Sequence, residues 1–360
     1  MSVVELNVGE RPNHDTPQVW DPSLVSASRV NSYLSCGVAF EKHYIQGIPA
    51  KRSGSAALFG NVLHKALETW ALDRTQSLVT LTAQAWKLEV ARSPIVLEFI
   101  EKYQGMSVSV MQAEADAIKK WEADPRNRGK TSKAPRMTKY FKESPAAKKL
   151  GILLAEYIPK LNAGSHWRFT DRDPLPNLYD ESLKVAKRYS LANRERPNAI
   201  HTEFGFKVAW HGHVLRGYID NIEPTLVDGE LVGYEIVDYK TYVNDPPKAK
   251  DWRQGVMYHV SIRDLVDRGV LPLDPSLPTR IVFDYVRLGK RRDYLFGAAD
   301  ELQLLVELDM YRKGVDAGVF LPAEKGRNPD YCDYPEDCCL NTRGPGCATP
   351  GGLYPEDDDG

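Results

Sequence analysis

Two carboxylates and a lysine stand at a spacing suited to divalent-metal chemistry on a phosphodiester. Asp220 closes the stretch Gly217-Tyr218-Ile219-Asp220, and Asp238-Tyr239-Lys240 follows, its aspartate eighteen residues on. Paired carboxylates can hold Mg²⁺ or Mn²⁺, ions that prefer oxygen ligands and keep waters for substrate and nucleophile. A lysine beside them can orient or deprotonate the attacking water, or offset charge on a phosphate. Asp-x-Lys by itself is a weak signal, and its ordinary reading is a sheet edged with solvated charges. Its weight depends on the elements that would position it.

Three runs rich in Val, Ile, Tyr and Phe cover residues 203–210, 214–222 and 231–240, separated by His211-Gly212 and Asp228-Gly229. Such dipeptides between strand-forming runs read as tight hairpin turns, so the segment is expected to be a β-meander. His211 and His213, flanking the first turn glycine, are expected to be exposed. Side chains alternate along a strand, which puts Asp238 and Lys240 on one face and Glu235, Val237 and Tyr239 on the other. Asp220 falls near the end of the neighbouring strand, where twist and splay bring its carboxylate beside that of Asp238. A helix is expected from about 251 to 268, with Gln254 and Tyr258 on one face at i,i+4 and Met257, Val260, Ile262 and Leu265 supplying most of its buried stripe. The Gln amide can bond a phosphate or base, and the Tyr can stack or donate its hydroxyl.

These motifs carry a resemblance. Gly217 to Asp220, Ile236-Val237-Asp238-Tyr239-Lys240-Thr241 and Gln254-x-x-x-Tyr258 resemble the RecB-like branch of the PD-(D/E)XK nuclease superfamily, which includes CRISPR-associated and bacteriophage exonucleases. Ser26 to Cys36 looks like the opening helix of that branch, and Gly60-Asn61-Val62-Leu63-His64 like its Gly-x-x-x-His helix. The resemblance implies that His64, Asp220, Asp238 and the backbone carbonyl of Tyr239 hold the metal. It also implies that Lys240 serves the water, that Gln254 and Tyr258 position DNA, and that the fold is an α/β (α+β) αβββαβ nuclease core with a helical insertion. Family members often carry a Glu ahead of the meander, a place that Glu203 fills. Taken alone, His64 beside the apolar stripe Val62, Leu63, Ala66, Leu67 and Trp70 reads as a boundary histidine. Glu68, one turn on, could orient its imidazole.

The chain has five cysteines: Cys36, then Cys332, Cys338, Cys339 and Cys347 in a Pro/Gly-rich terminal segment. With no signal peptide or membrane-spanning apolar run, a reducing cytoplasmic setting is expected, prokaryotic or phage-encoded, where clustered cysteines argue for a metal site. In the RecB-like branch one N-terminal and three C-terminal cysteines often hold a [4Fe-4S] cluster that staples the chain ends. Cys36 sits where the first ligand belongs, and Cys332-x5-Cys338 reproduces half of the usual Cys-x-x-Cys-x5-Cys pattern. Pro329 occupies the place of that pattern's first cysteine. The expected set is Cys36, Cys332, Cys338 and Cys347, with Cys339 spare. Zn²⁺ at the same thiolates and free thiols remain alternatives.

A chain of 360 residues with 42% hydrophobic content can bury a substantial core, and its net charge of -2 gives no overall attraction to DNA. Distribution matters more. Between Ala117 and Leu150, eleven Lys or Arg face three acids (Glu122, Asp124 and Glu143), interleaved with Trp121, Tyr140 and Phe141, a composition suited to phosphate contact with base stacking or to a solvated loop. Arg280, Arg287, Lys290, Arg291 and Arg292 form a second basic candidate beside a strand at 281–288.

The expected organisation is an arm (1–25), N-terminal helices of the nuclease domain (26–72), a helical insertion (73–200) with the basic segment 117–150, the nuclease core (201–320), and a cysteine-bearing segment with an acidic tail (321–360). Helices are expected at 26–46, stopped by Gly47, at 59–72, and from Ala298 to about Gly318. No Gly-x-x-x-x-Gly-Lys-Ser/Thr motif is present, which argues against a nucleotide-driven helicase within the chain. The expectation is a metal-dependent DNA exonuclease in recombination, repair or CRISPR-type processing, with a helicase, recombinase or integrase as a conceivable partner. The rivals are an endonuclease or flap nuclease on the same site, and a non-catalytic DNA-binding scaffold.

Overall fold

A computed structural model describes residues 21, 23–48, 53–91, 93–127, 138–164, 167–169, 175–242, 248–322 and 334. The elements run β1 (Leu24–Val25), α1 (Ala27–Ser35), α2 (Gly37–Phe40), β2 (Ser53–Gly54), α3 (Ser55–Leu72), α4 (Leu78–Val90), α5 (Pro94–Ala123), α6 (Lys139–Lys142), α7 (Pro145–Gly164), β3 (Trp167–Arg168) and α8 (Leu175–Asn193). They continue with β4 (His201–Trp210), β5 (His213–Val227), β6 (Glu230–Lys240), α9 (Lys248–Asp267), β7 (Thr279–Tyr285), β8 (Lys290–Tyr294) and α10 (Ala298–Asp316). The order α3-β4-β5-β6-α9-β7 is the expected αβββαβ, extended by β8 and α10.

The meander forms as its turn residues dictate. His211 (φ 46) with Gly212 (φ 82), and Asp228 (φ 52) with Gly229 (φ 85), take the left-handed pairs that a two-residue hairpin turn requires. β4 pairs antiparallel with β5, β5 with β6, and β6 runs parallel to β7, which turns back antiparallel into β8. β5 carries β4 along one edge. Its other edge carries β1 at Val214 and Leu215, then β6 from Asn221 onward, so residues 216–220 have no strand partner on that side among the described residues. The six-stranded mixed sheet therefore has an internal gap beside Asp220.

The sheet lies between two apolar cores. On one side, α3, α4, α5, α7 and α8 bury Leu63, Trp70, Trp86, Phe99 and Tyr157 against Val237, Tyr239, Val282 and Val286. On the other, Val30, Phe40, Val256, Val260, Leu304 and Leu308 pack onto Leu215, Ile219, Ile236 and Phe283. Side-chain alternation along β6 divides its residues between these layers.

Several expectations need correction. The helix expected over 26–46 breaks at Cys36, whose backbone is extended (φ -167, ψ 101), and a π-turn over Glu41–Ile45 follows α2. The cause is a long-range contact. The Gly37 N–H donates to Leu321 O at 2.7 Å, and a Cβ on Gly37 would lie 2.7 Å from the Leu321 nitrogen, so the chain after α10 occupies the space a continuous helix would fill. Gly47 (φ 64) does act as the stop. α3 starts at Ser55, ahead of the expected Phe59, and the strand expected to reach Leu288 ends at Tyr285 because Gly289 (φ 62) turns the chain into β8. His211 is exposed as expected, but His213 is buried, its Nε2 2.9 Å from Asp309 Oδ1 of α10. Among the described residues, no helix is long and apolar enough to cross a membrane.

Candidate active site

The sheet register aligns three acids in one row. Thr202↔Asn221 and Phe204↔Ile219 set Glu203 opposite Asp220, and Asn221↔Val237, carried one step further, sets Asp220 opposite Asp238. The ladder itself is interrupted along this row. Glu203 takes φ 49, a left-handed conformation rare for a non-glycine residue within a strand. Where β5 and β6 part, the Tyr239 N–H donates instead to Asp220 Oδ2 at 2.7 Å. Strand splay thus turns backbone pairing into carboxylate placement.

α3 delivers His64 to the same point, its Nδ1 3.3 Å from Asp220 Oδ2. His64, Glu203 and Asp220 each offer one ligand atom, all within 4.8 Å of one another, so one imidazole nitrogen and two carboxylate oxygens can meet at a single cation. This donor set suits Mn²⁺ and Mg²⁺, the nitrogen favouring the former. Gly60, one turn before His64, lies where an added Cβ would stand 3.3 Å from Thr241 Oγ1, so the glycine lets α3 approach the end of β6 closely.

α9 secures the other carboxylate. Gln254 Nε2 donates to Asp238 Oδ1 at 2.6 Å, and Gln254 Oε1 accepts from Lys240 Nζ at 2.6 Å. Lys240 Nζ is also 2.6 Å from Asp238 Oδ2. The Tyr258 hydroxyl lies 2.7 Å from the Tyr218 carbonyl of β5 and 2.9 Å from Asp238 Oδ1. Its ring is buried. Tyr258 therefore reaches the site through its hydroxyl, in place of the base stacking its type suggested. Phe206 meets the Tyr258 ring edge-on at 5.9 Å and sits over Gly217, where a Cβ would lie 2.6 Å from Phe206 Cζ. Sequence reasoning missed Phe206 as a support, although the glycine of Gly-x-Ile-Asp was its signal.

The electrostatics follow from burial. Desolvation raises the Asp238 carboxyl above its usual range, with Lys240 opposing and Asp220 adding to the rise. Desolvation works against the Lys240 ammonium, but the charge and hydrogen bond of Asp238 outweigh it, so its pKa is raised and it stays protonated at neutral pH. The Tyr258 hydroxyl, raised well above its ordinary value chiefly by burial, stays a donor.

Tyr239 turns its ring to the opposite layer, where Asn221 Nδ2 donates to its hydroxyl. An ion network follows there. Arg74 and Arg196 hold Glu223, Arg196 and Arg291 hold Glu235, and Arg291 Nη1 meets Asp284 Oδ2 at 2.8 Å. Glu235 is thus excluded from the site as strand alternation requires. Arg291 is engaged in this network, which corrects its place in the second basic candidate. Arg287 rests over the Phe59 ring at 4.4 Å, and Arg292 over Tyr285 at 5.4 Å. Glu68 pairs with Lys65 at 3.0 Å, in place of the imidazole of His64. Cys36 is buried; Cys332, Cys338, Cys339 and Cys347 lie outside the described residues.

Residues 24–135 match the PD-(D/E)XK nuclease superfamily. That stretch carries Cys36 and His64 and ends before Glu203, Asp220, Asp238 and Lys240. No curated protein matches the chain.

Proposed function

We propose that this chain is a divalent-metal-dependent deoxyribonuclease of the RecB-like PD-(D/E)XK type that removes nucleotides from DNA ends. The observation that carries this reading is the row Glu203, Asp220 and Asp238 on three adjacent strands, with His64 3.3 Å from its centre and Lys240 at its end. His64, Glu203, Asp220 and Asp238 would hold the metal, with the Tyr239 carbonyl as a further ligand. When bound, Mg²⁺ or Mn²⁺ supplies Lewis acidity at the phosphate and a water of lowered pKa. Lys240, protonated and fixed by Asp238 and Gln254, offsets charge that builds on the phosphate and orients the incoming water. Gln254 and Tyr258 act by holding Asp238 and Lys240 at the geometry the reaction needs.

Action at ends follows from the resemblance, and linear against circular DNA tests it. With Mg²⁺ or Mn²⁺, the protein should release mononucleotides or short oligonucleotides from 5′- or 3′-labelled linear DNA and leave a covalently closed circle intact. Nicking of the circle at a comparable rate would favour the endonuclease reading. A scaffold in a recombination complex would cleave neither.

The cysteines are proposed to hold a [4Fe-4S] cluster through Cys36, Cys332, Cys338 and Cys347, with Zn²⁺ as the alternative metal. Support comes from the docking of Leu321 on Gly37, which brings the chain leading into the terminal cysteines against the neighbour of buried Cys36. Anaerobically purified protein should show a broad absorption shoulder near ~400 nm and stoichiometric iron. Zinc without iron would replace the cluster by a thiolate zinc site.

A further inference from the structure

The helical layer ends in a cluster of cations that the active site does not use. Lys119 and Lys120 at the end of α5, Lys139 and Lys142 on α6, and Lys148 and Lys149 on α7 are all exposed. Elsewhere in this helical layer lysines face carboxylates: Lys102 meets Glu98, Lys160 meets Glu156 and Lys184 of α8 meets Glu114. None of Lys119, Lys120, Lys142, Lys148 and Lys149 has such a partner among the described residues. The nearby Asp124 is committed to Arg126 and to the Tyr140 hydroxyl, which donates to it at 2.5 Å.

Lys120 lies in the last turn of α5, where a cation is favourable, whereas Lys148 opposes helix electrostatics. α7 has no acid in its first turn, and Lys148 is its fourth residue. Helix N-termini favour anions, so cations there cost stability that a bound polyanion would offset. The scaffold beneath is ordered, with Phe141 and Leu150 buried in the core and Thr138 and Ser144 capping the two helices. Phe141 is buried, Tyr140 is tied to Asp124 and Trp121 is half-buried, so the surface offers charge more than base-stacking rings. Such a surface fits a phosphate backbone read without regard to sequence.

A chain of contacts links the cluster to the layer behind the site. The Tyr239 and Tyr189 rings meet at 6.2 Å, Lys184 is five residues back along α8 and pairs with Glu114, and Lys120 follows six residues on along α5. The lysines therefore sit on the layer that packs behind Tyr239, whose core also holds Ala117, Phe141 and Leu150. We infer that this lysine surface grips the backbone of the same DNA outside the reacting phosphodiester. The inference rests on the nuclease reading of the site.

The test compares full-length wild type with a variant carrying Lys119→Gln, Lys120→Gln, Lys142→Gln, Lys148→Gln and Lys149→Gln. Binding to labelled duplexes of about 8 and about 30 base pairs is measured in EDTA over a salt series, lengths chosen against a ~10-base-pair turn. Wild type should bind the longer duplex more tightly. The variant should lose that advantage, about 10- to 100-fold near 0.1 M salt, and its log-log salt slope should flatten by about 3 to 5. Arginine at all five positions should restore both. An unchanged length advantage and slope in the glutamine variant would overturn the inference and leave the nuclease reading intact. Absence of cleavage by wild type with Mg²⁺ or Mn²⁺ would overturn that reading instead. A loss of affinity without restoration by arginine would count against a charge-based grip.

Discussion

Asp238 meets three residues from two elements, and each contact has a separable role. Lys240 balances its charge, Gln254 links it to Lys240, and Tyr258 joins it to the Tyr218 carbonyl of β5. Tyr258→Phe removes only the hydroxyl, whose single proton serves the Tyr218 carbonyl or Asp238, and so unties the carboxylate from β5. Residues that support a metal ligand in this way are typically worth about 10- to 100-fold in metal affinity or activity. Calorimetric Mn²⁺ affinity of Tyr258→Phe should fall within that range while circular dichroism stays that of the wild type; unchanged affinity would reduce Tyr258 to a packing residue. At this scale the sequence was informative where alternation decided the matter, as it did for Asp238, Lys240 and the exclusion of Glu235. Glu203 came only through resemblance, because its left-handed backbone breaks the alternation from which a strand residue is normally placed. His213 was misjudged because its partner, Asp309, lies 96 residues away.

Elements were legible where their signals are local. Both hairpin turns carried their glycines, and α9 carried its apolar stripe. The break at Cys36 was not, since it depends on Leu321 arriving at Gly37, and β8 was hidden in a basic run that reads as surface. α10 offers a test of how one end is fixed to the site-bearing helix. Asp300 in its first turn accepts from the Gly297 N–H at 3.0 Å and from Trp252 Nε1 of α9 at 2.8 Å. These hydrogen bonds, that of Trp252 foremost, lower its pKa below the ordinary aspartate value. A depressed carboxylate stabilises the fold at pH above its unfolded pKa of about 3.9, and the contribution is lost as pH falls through the lower folded value. Asp300→Asn should therefore be less stable than wild type by about 1 kcal/mol at neutral pH, with the gap closing below about pH 4. Chemical denaturation at several pH values measures this; a gap that stays constant into acid would show that the charge of Asp300 plays no part.

At the scale of the whole molecule, two cores clamp one sheet, and each contributes a half of the site. The α3 layer brings His64, the α9 layer brings Gln254 and Tyr258, and the gap between β1 and β6 along β5 leaves room for both at Asp220. This arrangement was legible as an element order. The gap was not, because a two-residue strand such as β1 carries no periodic signal. The helices over 73–200 yielded no catalytic motif from sequence, only the basic segment 117–150; in three dimensions they form the layer behind Tyr239 and present the lysine surface. In the proposed nuclease, Asp238 and its row of acids hold the metal that activates water for DNA hydrolysis. The rate of DNA hydrolysis by Asp238→Ala, measured beside wild type in Mg²⁺ and in Mn²⁺, tests it most directly. Wild type should depend on the added metal and Asp238→Ala should be slower by about a thousandfold or more, as expected when a principal transition-state charge is left unsupported. Hydrolysis by Asp238→Ala at the wild-type rate would contradict the account.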